Sequence, residues 1–146
     1  VQYGRCVLGA DHAFLHPFPP LESETLLMVP GETALSGWQV KATIMPYKAA
    51  ISPAPFKAYL DLKRMGTELV VRGRKPGDRF QPLGMDHPKK LQNFMVDAKI
   101  PRAWRQRIPL VCSQEQLLWV VGWRIDDNVK VTDSTREVLC LEFERR

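Results

Sequence analysis

Histidine, cysteine and long apolar runs are scarce in this sequence of 146 residues, and each scarcity excludes a class of function. His12 and His16 are four apart, as zinc ligands on a helix would be, but Pro17, Pro19 and Pro20 follow at once and no third ligand is near, so no metal site is expected. His87 beside Pro88 reads better as a turn cap than as a phosphate ligand. Cys6, Cys112 and Cys140 are odd in number and widely spaced in apolar runs, which predicts buried thiols in a reducing compartment. No apolar run approaches the ~18 residues that span a bilayer, and no charged-then-apolar leader opens the chain. No membrane partner and a cytoplasmic location are therefore expected. A glycine-rich loop of the Walker or dinucleotide kind is also missing, so nothing here can activate a nucleotide. The adjacent carboxylates of Asp126 and Asp127 would point to opposite faces of a strand and read as a solvated turn, not an acid/base pair. No catalytic residue and no cofactor are expected within these residues. The opening valine, where an intact chain would start with methionine, predicts a processed product or, more readily, a piece of a longer protein.

What is present is an ordinary globular balance, 45% hydrophobic and 25% charged. The length fits one medium domain or two small interlocked ones, burying roughly two thirds of the unfolded surface. The net charge of +5 is unevenly placed: residues 1–71 carry six Lys/Arg and six Asp/Glu, residues 72–107 ten and three, residues 108–146 five and seven. The partial charges are 0, +7 and −2. An excess confined to one segment is the footprint of a polyanion partner, against the plainer alternative of a solvated surface.

Along the chain, the first 66 residues read as β-rich and punctuated by proline, with strands over Tyr3–Leu8, Thr25–Val29, Trp38–Met45 and Lys57–Leu62. A short strand at Leu69–Val71 runs into Arg72-Gly73-Arg74-Lys75-Pro76-Gly77-Asp78-Arg79-Phe80, where Pro76-Gly77 is a strong turn signal flanked by four cations. Pro88 predicts the start of a helix of about three turns, since Leu91, Phe94, Met95 and Ala98 follow the i, i+3, i+4, i+7 rule. Lys89 and Lys90 would lie in its first turn, opposing the helix dipole until an anion arrives. Pro101 predicts a second helix over Arg102–Ile108, with Arg102 and Arg105 on one face, Trp104 and Ile108 on another, and Arg107 turned toward a structural ion pair. Strands over Leu110–Cys112, Leu117–Trp123, Val129–Val131 and Val138–Phe143 complete a β-rich mixed α+β chain with two short helices. Two segments follow: a β-rich stretch over 1–66 and a basic α+β domain over 67–146, the first not assigned as an independent fold.

Three rigid elements would thus present the cations: a proline-glycine turn, a helix start and a second helix. If about six cations neutralise phosphates, log K against log salt should slope by about −4 to −5, a thousandfold loss between roughly 50 and 200 mM. Phe80, Phe94, Trp104, Trp119 and Trp123 could stack on bases, but most lie on apolar faces and read as core.

The run Val71-Arg72-Gly73-Arg74-Lys75-Pro76-Gly77-Asp78-Arg79-Phe80-Gln81-Pro82-Leu83-Gly84-Met85, followed by Lys89-Lys90-Leu91-Gln92-Asn93-Phe94 and Ile100-Pro101-Arg102-Ala103-Trp104-Arg105, closely resembles the C-terminal domain of the tRNA(Ile)-lysidine synthetase family. Arg107-Ile108-Pro109-Leu110-Val111, Leu118-Trp119-Val120-Val121-Gly122 and Arg124-Ile125-Asp126 continue it in order, so the resemblance spans residues 70–143. The segment from Tyr3 to Met65 looks like what precedes that domain in bacterial members.

The resemblance implies a ligase for tRNA processing and modification that uses ATP, with magnesium, to join lysine to the wobble cytidine of a minor isoleucine tRNA. In that family the chemistry belongs to an N-terminal domain with a Ser-Gly-Gly-x-Asp-Ser nucleotide loop, which these residues lack, so the chain should be inactive alone. The C-terminal part is associated with holding the tRNA body, particularly its acceptor stem. A related domain of the phenylalanyl-tRNA synthetase β subunit supports the mixed β-rich fold by analogy. Carried over by position, the resemblance makes Arg72, Arg74, Lys75, Arg79, Lys89, Lys90, Arg102 and Arg105 the candidate RNA-binding residues, Asp78 an orienting partner for Arg79, and Pro76 and Gly77 the shapers of the turn. The expected partners are tRNA and the chain's own N-terminal catalytic domain. The alternative is a protein docking or oligomerisation domain, including a homodimer, with the basic stretch meeting an acidic protein surface.

Overall fold

The computed structural model describes residues 18–21, 24–47, 51–65, 68–113 and 116–146. The strand expected at Tyr3–Leu8, together with Cys6, His12 and His16, lies outside them.

Two four-stranded antiparallel sheets carry the fold. Strands β2 (Gly31–Leu35), β3 (Trp38–Pro46), β4 (Lys57–Asp61) and β10 (Glu137–Arg145) form one, in the order β2-β3-β10-β4. Strands β1 (Thr25–Leu26), β5 (Leu69–Arg72), β8 (Leu110–Ser113) and β9 (Gln116–Val120) form the other, in the order β1-β5-β8-β9. A hairpin-like pair, β6 (Arg79–Phe80) and β7 (Lys89–Lys90), stands apart with Arg79 opposite Lys90.

β10 is long enough to pair with β3 over nine positions and with β4 over five, so it lies between two strands that precede it by many residues. β1 likewise pairs with β5. Strands from either side of residue 67 therefore share both sheets, and the boundary there marks the onset of the basic segment in sequence.

The two sheets meet through side chains that alternate inward along each strand. Trp119 of β9 meets Phe143 of β10 edge-on at 5.4 Å, and Trp38 of β3 meets Phe143 at 5.6 Å. Phe18 adds a cap, stacking on Trp123 at 5.8 Å and touching Trp38, Phe56 and Trp104. β8 is buried on both faces, so Leu110, Val111 and Cys112 are all covered. Cys112 and Cys140 are buried free thiols. Burial pushes the Cys112 thiol up to about 11, against the pull of Arg72, which keeps it protonated and unreactive.

Several local expectations are corrected. β2 is not expected from the sequence, because Gly31 and Glu32 are poor strand formers by themselves; its hairpin with β3 around Ser36-Gly37 supplies the order. The strand predicted at Val129–Val131 is replaced by a 3₁₀ turn, Asp127–Val129, capped by Asp126. The second predicted helix is a single 3₁₀ turn, Arg102–Trp104, followed by turns. The one α-helix among the described residues, α1 (Leu91–Asp97), has seven residues, shorter than the three turns expected. Its buried face, Leu91, Phe94 and Met95, matches the expected stripe, and Phe94 packs edge-on against Phe80 at 5.1 Å. No helix among the described residues is long and apolar enough to cross a membrane.

Candidate nucleic-acid interface

The segment Arg72-Gly73-Arg74-Lys75-Pro76-Gly77-Asp78 leaves the end of β5 and turns back into β6. Gly77 has φ of +86°, a left-handed conformation that glycine adopts without strain and that Pro76 before it helps to set. Asp78 is the centre of the turn. Its Oδ2 accepts from the Lys75 backbone N–H at 2.7 Å and from Arg72 Nη1 at 3.0 Å, while Oδ1 accepts from Arg72 Nη2 at 2.9 Å. Its backbone closes the loop twice more: the Asp78 N–H donates to Lys75 O at 3.2 Å, and Asp78 O accepts from the Leu91 N–H at 2.8 Å. One residue thus ties the turn to β5 and to the start of α1.

The partner of Asp78 is Arg72, not the adjacent Arg79 expected from the sequence. The reason is geometric. Arg79 begins β6 with its side chain exposed, whereas Arg72 ends β5 pointing into the bend, where it is 8% exposed. The pair is bidentate, the strong form of arginine–carboxylate contact. Burial alone would raise the Asp78 carboxyl, but the Arg72 guanidinium and the Lys75 N–H outweigh it and hold the group below its ordinary value. The hydrogen bond to Asp78 raises the Arg72 guanidinium against the opposing effect of burial. Arg72 also donates to Gly73 O at 2.9 Å, so its terminal nitrogens are engaged and its task is architectural.

The remaining candidates divide by position. Arg74, Lys75 and Lys90 line one open cleft of about 520 Å³, together with Gln92 and Gln106. Arg74 is half-buried, its Nη1 3.8 Å from Met95 Sδ, which lays the guanidinium stem along α1. On the other side of the turn, Lys75 and Arg79 line a second cleft of about 470 Å³ with Glu24, whose carboxylate is 3.4 Å from Lys75 Nζ. That exposed pair is weak and yields easily to a stronger anion. Lys89, Arg102 and Arg105 line neither cleft. Lys89 pairs with Asp97, Arg105 Nε donates to Ile100 O at 3.0 Å, and Arg102 is exposed. Arg107 donates to Phe18 O at 3.3 Å, a backbone contact where an ion pair was expected.

Lys89 and Lys90 do not occupy the first turn of a helix. Lys90 is extended, at φ −64° and ψ 134°, and both lysines are strand residues facing β6; α1 starts only where Asp78 O captures the Leu91 N–H. The lysines are held by the hairpin, and as strand residues they do not oppose a helix dipole from its first turn. The aromatic residues Phe80, Phe94 and Trp119 are buried, as the core reading expected, while Trp104 and Trp123 are half-buried against the core.

Asp126 and Asp127 form no solvated turn. Asp126 is 3% exposed, accepting from Gln81 N at 3.0 Å, Asn128 N at 2.7 Å and Asn128 Nδ2 at 3.0 Å. Asp127 accepts from Gly84 N at 3.1 Å and from Lys130 Nζ at 3.2 Å, contacts that hold its carboxyl below its ordinary value. Both carboxylates fasten loops. Sequence spacing could not find the cleft glutamines either: Gln92 and Gln106 are fourteen apart and meet only through the fold.

Two four-stranded antiparallel sheets, one of them completed by β10, with a small basic hairpin and one short helix at the side, define a class of β-rich α+β module. A crystal structure of a TILS C-terminal domain shares it, with a TM-score of 0.71 and 24% identity over 84% of this chain and 98% of that one. An N-terminal fragment of the phenylalanyl-tRNA synthetase β subunit from Pyrococcus horikoshii is more distant in fold, at a TM-score of 0.53 and 15% identity over 62% of this chain and 28% of that one. A family model described as the TilS substrate C-terminal domain matches residues 69–141, and the chain belongs to that family. The tRNA(Ile)-lysidine synthase of Dehalococcoides mccartyi is 47% identical over 98% of this chain, and that of Symbiobacterium thermophilum 38% identical over 100%. The chain spans 31% of the length of each.

Proposed function

We propose that this chain is the tRNA-holding portion of a tRNA(Ile)-lysidine synthase, a cytoplasmic ligase that uses ATP to join lysine to the wobble cytidine of a minor isoleucine tRNA. The observation that carries the reading is the cleft where Arg74, Lys75 and Lys90 converge on a turn fastened by Asp78. Cations held in place before binding lose little entropy when phosphates arrive. Duplex RNA is met mostly through phosphates, 2′-hydroxyls and shape, and a cleft that sets lysine and arginine beside two amides offers donors and acceptors for all three. Among the eight candidates, Arg74, Lys75, Arg79 and Lys90 line the clefts and face the RNA, exposed Arg102 adds to them from its own turn, and Arg72 holds the bend that presents Arg74 and Lys75. ATP, magnesium and lysine belong to the catalytic domain of the same enzyme, because these residues offer no phosphate-cradling loop.

The test is binding of an isoleucine tRNA to the chain across a salt series. Arg74→Glu with Lys75→Glu should weaken binding at least tenfold and flatten the salt slope by about 1.5 to 2. Unchanged affinity and slope would remove the turn from the interface.

A docking reading has one observation in its favour: Leu26 and Met28, 56% and 64% exposed, lie together at the β1 edge. This edge suits contact with the catalytic domain or a second copy, and sedimentation without RNA separates the two. Concentration-dependent self-association that Leu26→Asp abolishes would support the second copy.

A further inference from the structure

A third concave site lies beyond β6, away from the basic turn. It is a groove of about 680 Å³ whose walls include Tyr59, Trp123 and Ile125, with Lys57, Arg124 and Lys130 among the lining residues and no carboxylate. Lys130 is tied to Asp127, whereas Lys57 and Arg124 make no ion pair among the described residues. Lys57 Nζ stands 5.8 Å from the centre of the Tyr59 ring. The rim is fastened by one backbone bond and one carboxylate: the Leu83 N–H donates to Ile125 O at 3.0 Å and the Gly84 N–H to Asp127 Oδ1 at 3.1 Å.

An apolar floor with aromatic rings, edged by Lys57, Arg124 and Lys130 against one carboxylate, that of Asp127, which already accepts from Lys130 and Gly84, suits a ligand that is flat and anionic at once. A nucleotide is such a ligand, and the volume is within the range of small-molecule sites. A base inside a duplex has both faces covered by its neighbours, so a recessed aromatic groove suits an unpaired one. Leu83, on its rim, is five residues from Asp78, so the groove and the basic turn are at most about 18 Å apart along the chain. At about 3.4 Å per nucleotide step, one RNA reaches both within about five steps.

We propose that this groove binds an unpaired nucleotide at the end of the same RNA stem whose phosphates lie on the basic turn. The assignment rests on the proposal that RNA occupies that turn, and supplies what the turn lacks, a surface that recognises where the duplex stops.

The experiment compares two RNAs on the intact chain: an isoleucine tRNA, and the same tRNA with its unpaired 3′ nucleotides removed. The wild-type chain should bind the trimmed RNA about tenfold more weakly. Lys57→Glu with Arg124→Glu should weaken the intact RNA by a similar factor and bind both RNAs alike. Equal binding of the two RNAs by the wild type overturns the proposal without any variant, as does a double variant that keeps the full discrimination. Reversal of Arg74 and Lys75 should weaken both RNAs and preserve their ratio. If it changes neither affinity while the ratio persists, the turn loses its role and the groove keeps its own.

Discussion

Two loops of this molecule are each fastened by an aspartate, half-buried Asp78 in one and buried Asp126 in the other, and they are fastened differently. Asp78 holds the basic turn through a bidentate guanidinium and one backbone amide. Asp126 holds the rim of the groove through two backbone amides and the Asn128 side chain, with no cation in contact. In the first loop the carboxylate is neutralised internally by Arg72, so the outward field is set by Arg74, Lys75 and Arg79. In the second the carboxylate is satisfied by dipoles and its charge is local. A loop that must present net positive charge can hold its own anchor without losing that charge only if the anchor brings its own counterion.

The largest expected effect breaks the first anchor. Asp78→Ala leaves a buried guanidinium unpaired and frees the Lys75 amide, and should destabilise the chain by about 2–4 kcal/mol in denaturant titrations. A loss below about 1 kcal/mol would mean that the turn is held by other contacts. The pH dependence sharpens the point. Because the Asp78 carboxyl is held below its ordinary value in the folded chain, its contribution is present above about pH 4, the unfolded value, and fades as pH falls through the folded one. The stability gap between wild type and Asp78→Ala should therefore narrow at acid pH, and a constant gap would contradict the ion pair. Asp126→Ala, with no cation to strand, should cost less, about 1–3 kcal/mol, and should disturb the groove more than the turn. Measured tRNA salt slopes should stay near wild type in it. The smallest effect is at Glu24, the exposed competitor for Lys75. Glu24→Gln should leave stability within about 0.5 kcal/mol and tighten tRNA binding by about twofold to threefold; weakened binding would place Glu24 among the contacts.

Much of the frame was legible in the residues. Alternation in Lys57–Leu62 and the apolar run at Val138–Phe143 located β4 and β10, and Pro76-Gly77 located the turn. The charge sums along the chain located the basic segment, and the family resemblance pointed to tRNA as its partner. What could not be read was pairing across distance. The choice of Arg72 over Arg79 by Asp78 depends on which side of the bend each side chain faces, and adjacency in sequence is a poor guide where the chain reverses. Lys89 and Lys90 look like a helix start because the apolar stripe begins one residue later, but hydrogen bonds to β6 claim them first. Asp126 looked solvent-bound because adjacent acids usually are; its burial follows from the approach of Gln81, forty-five residues earlier.

The central place of β10 has a consequence for how the protein comes into being. Residues 31–61 form strands whose missing neighbour is residues 137–145. On a ribosome adding about 5–20 residues each second, those early strands wait several seconds with an open seam before the strand that fills it emerges. Such distant closure is slow by its topology. During that interval β3 and β4 present unpaired edges, and another copy or a chaperone has its opportunity to occupy the seam before the chain itself does.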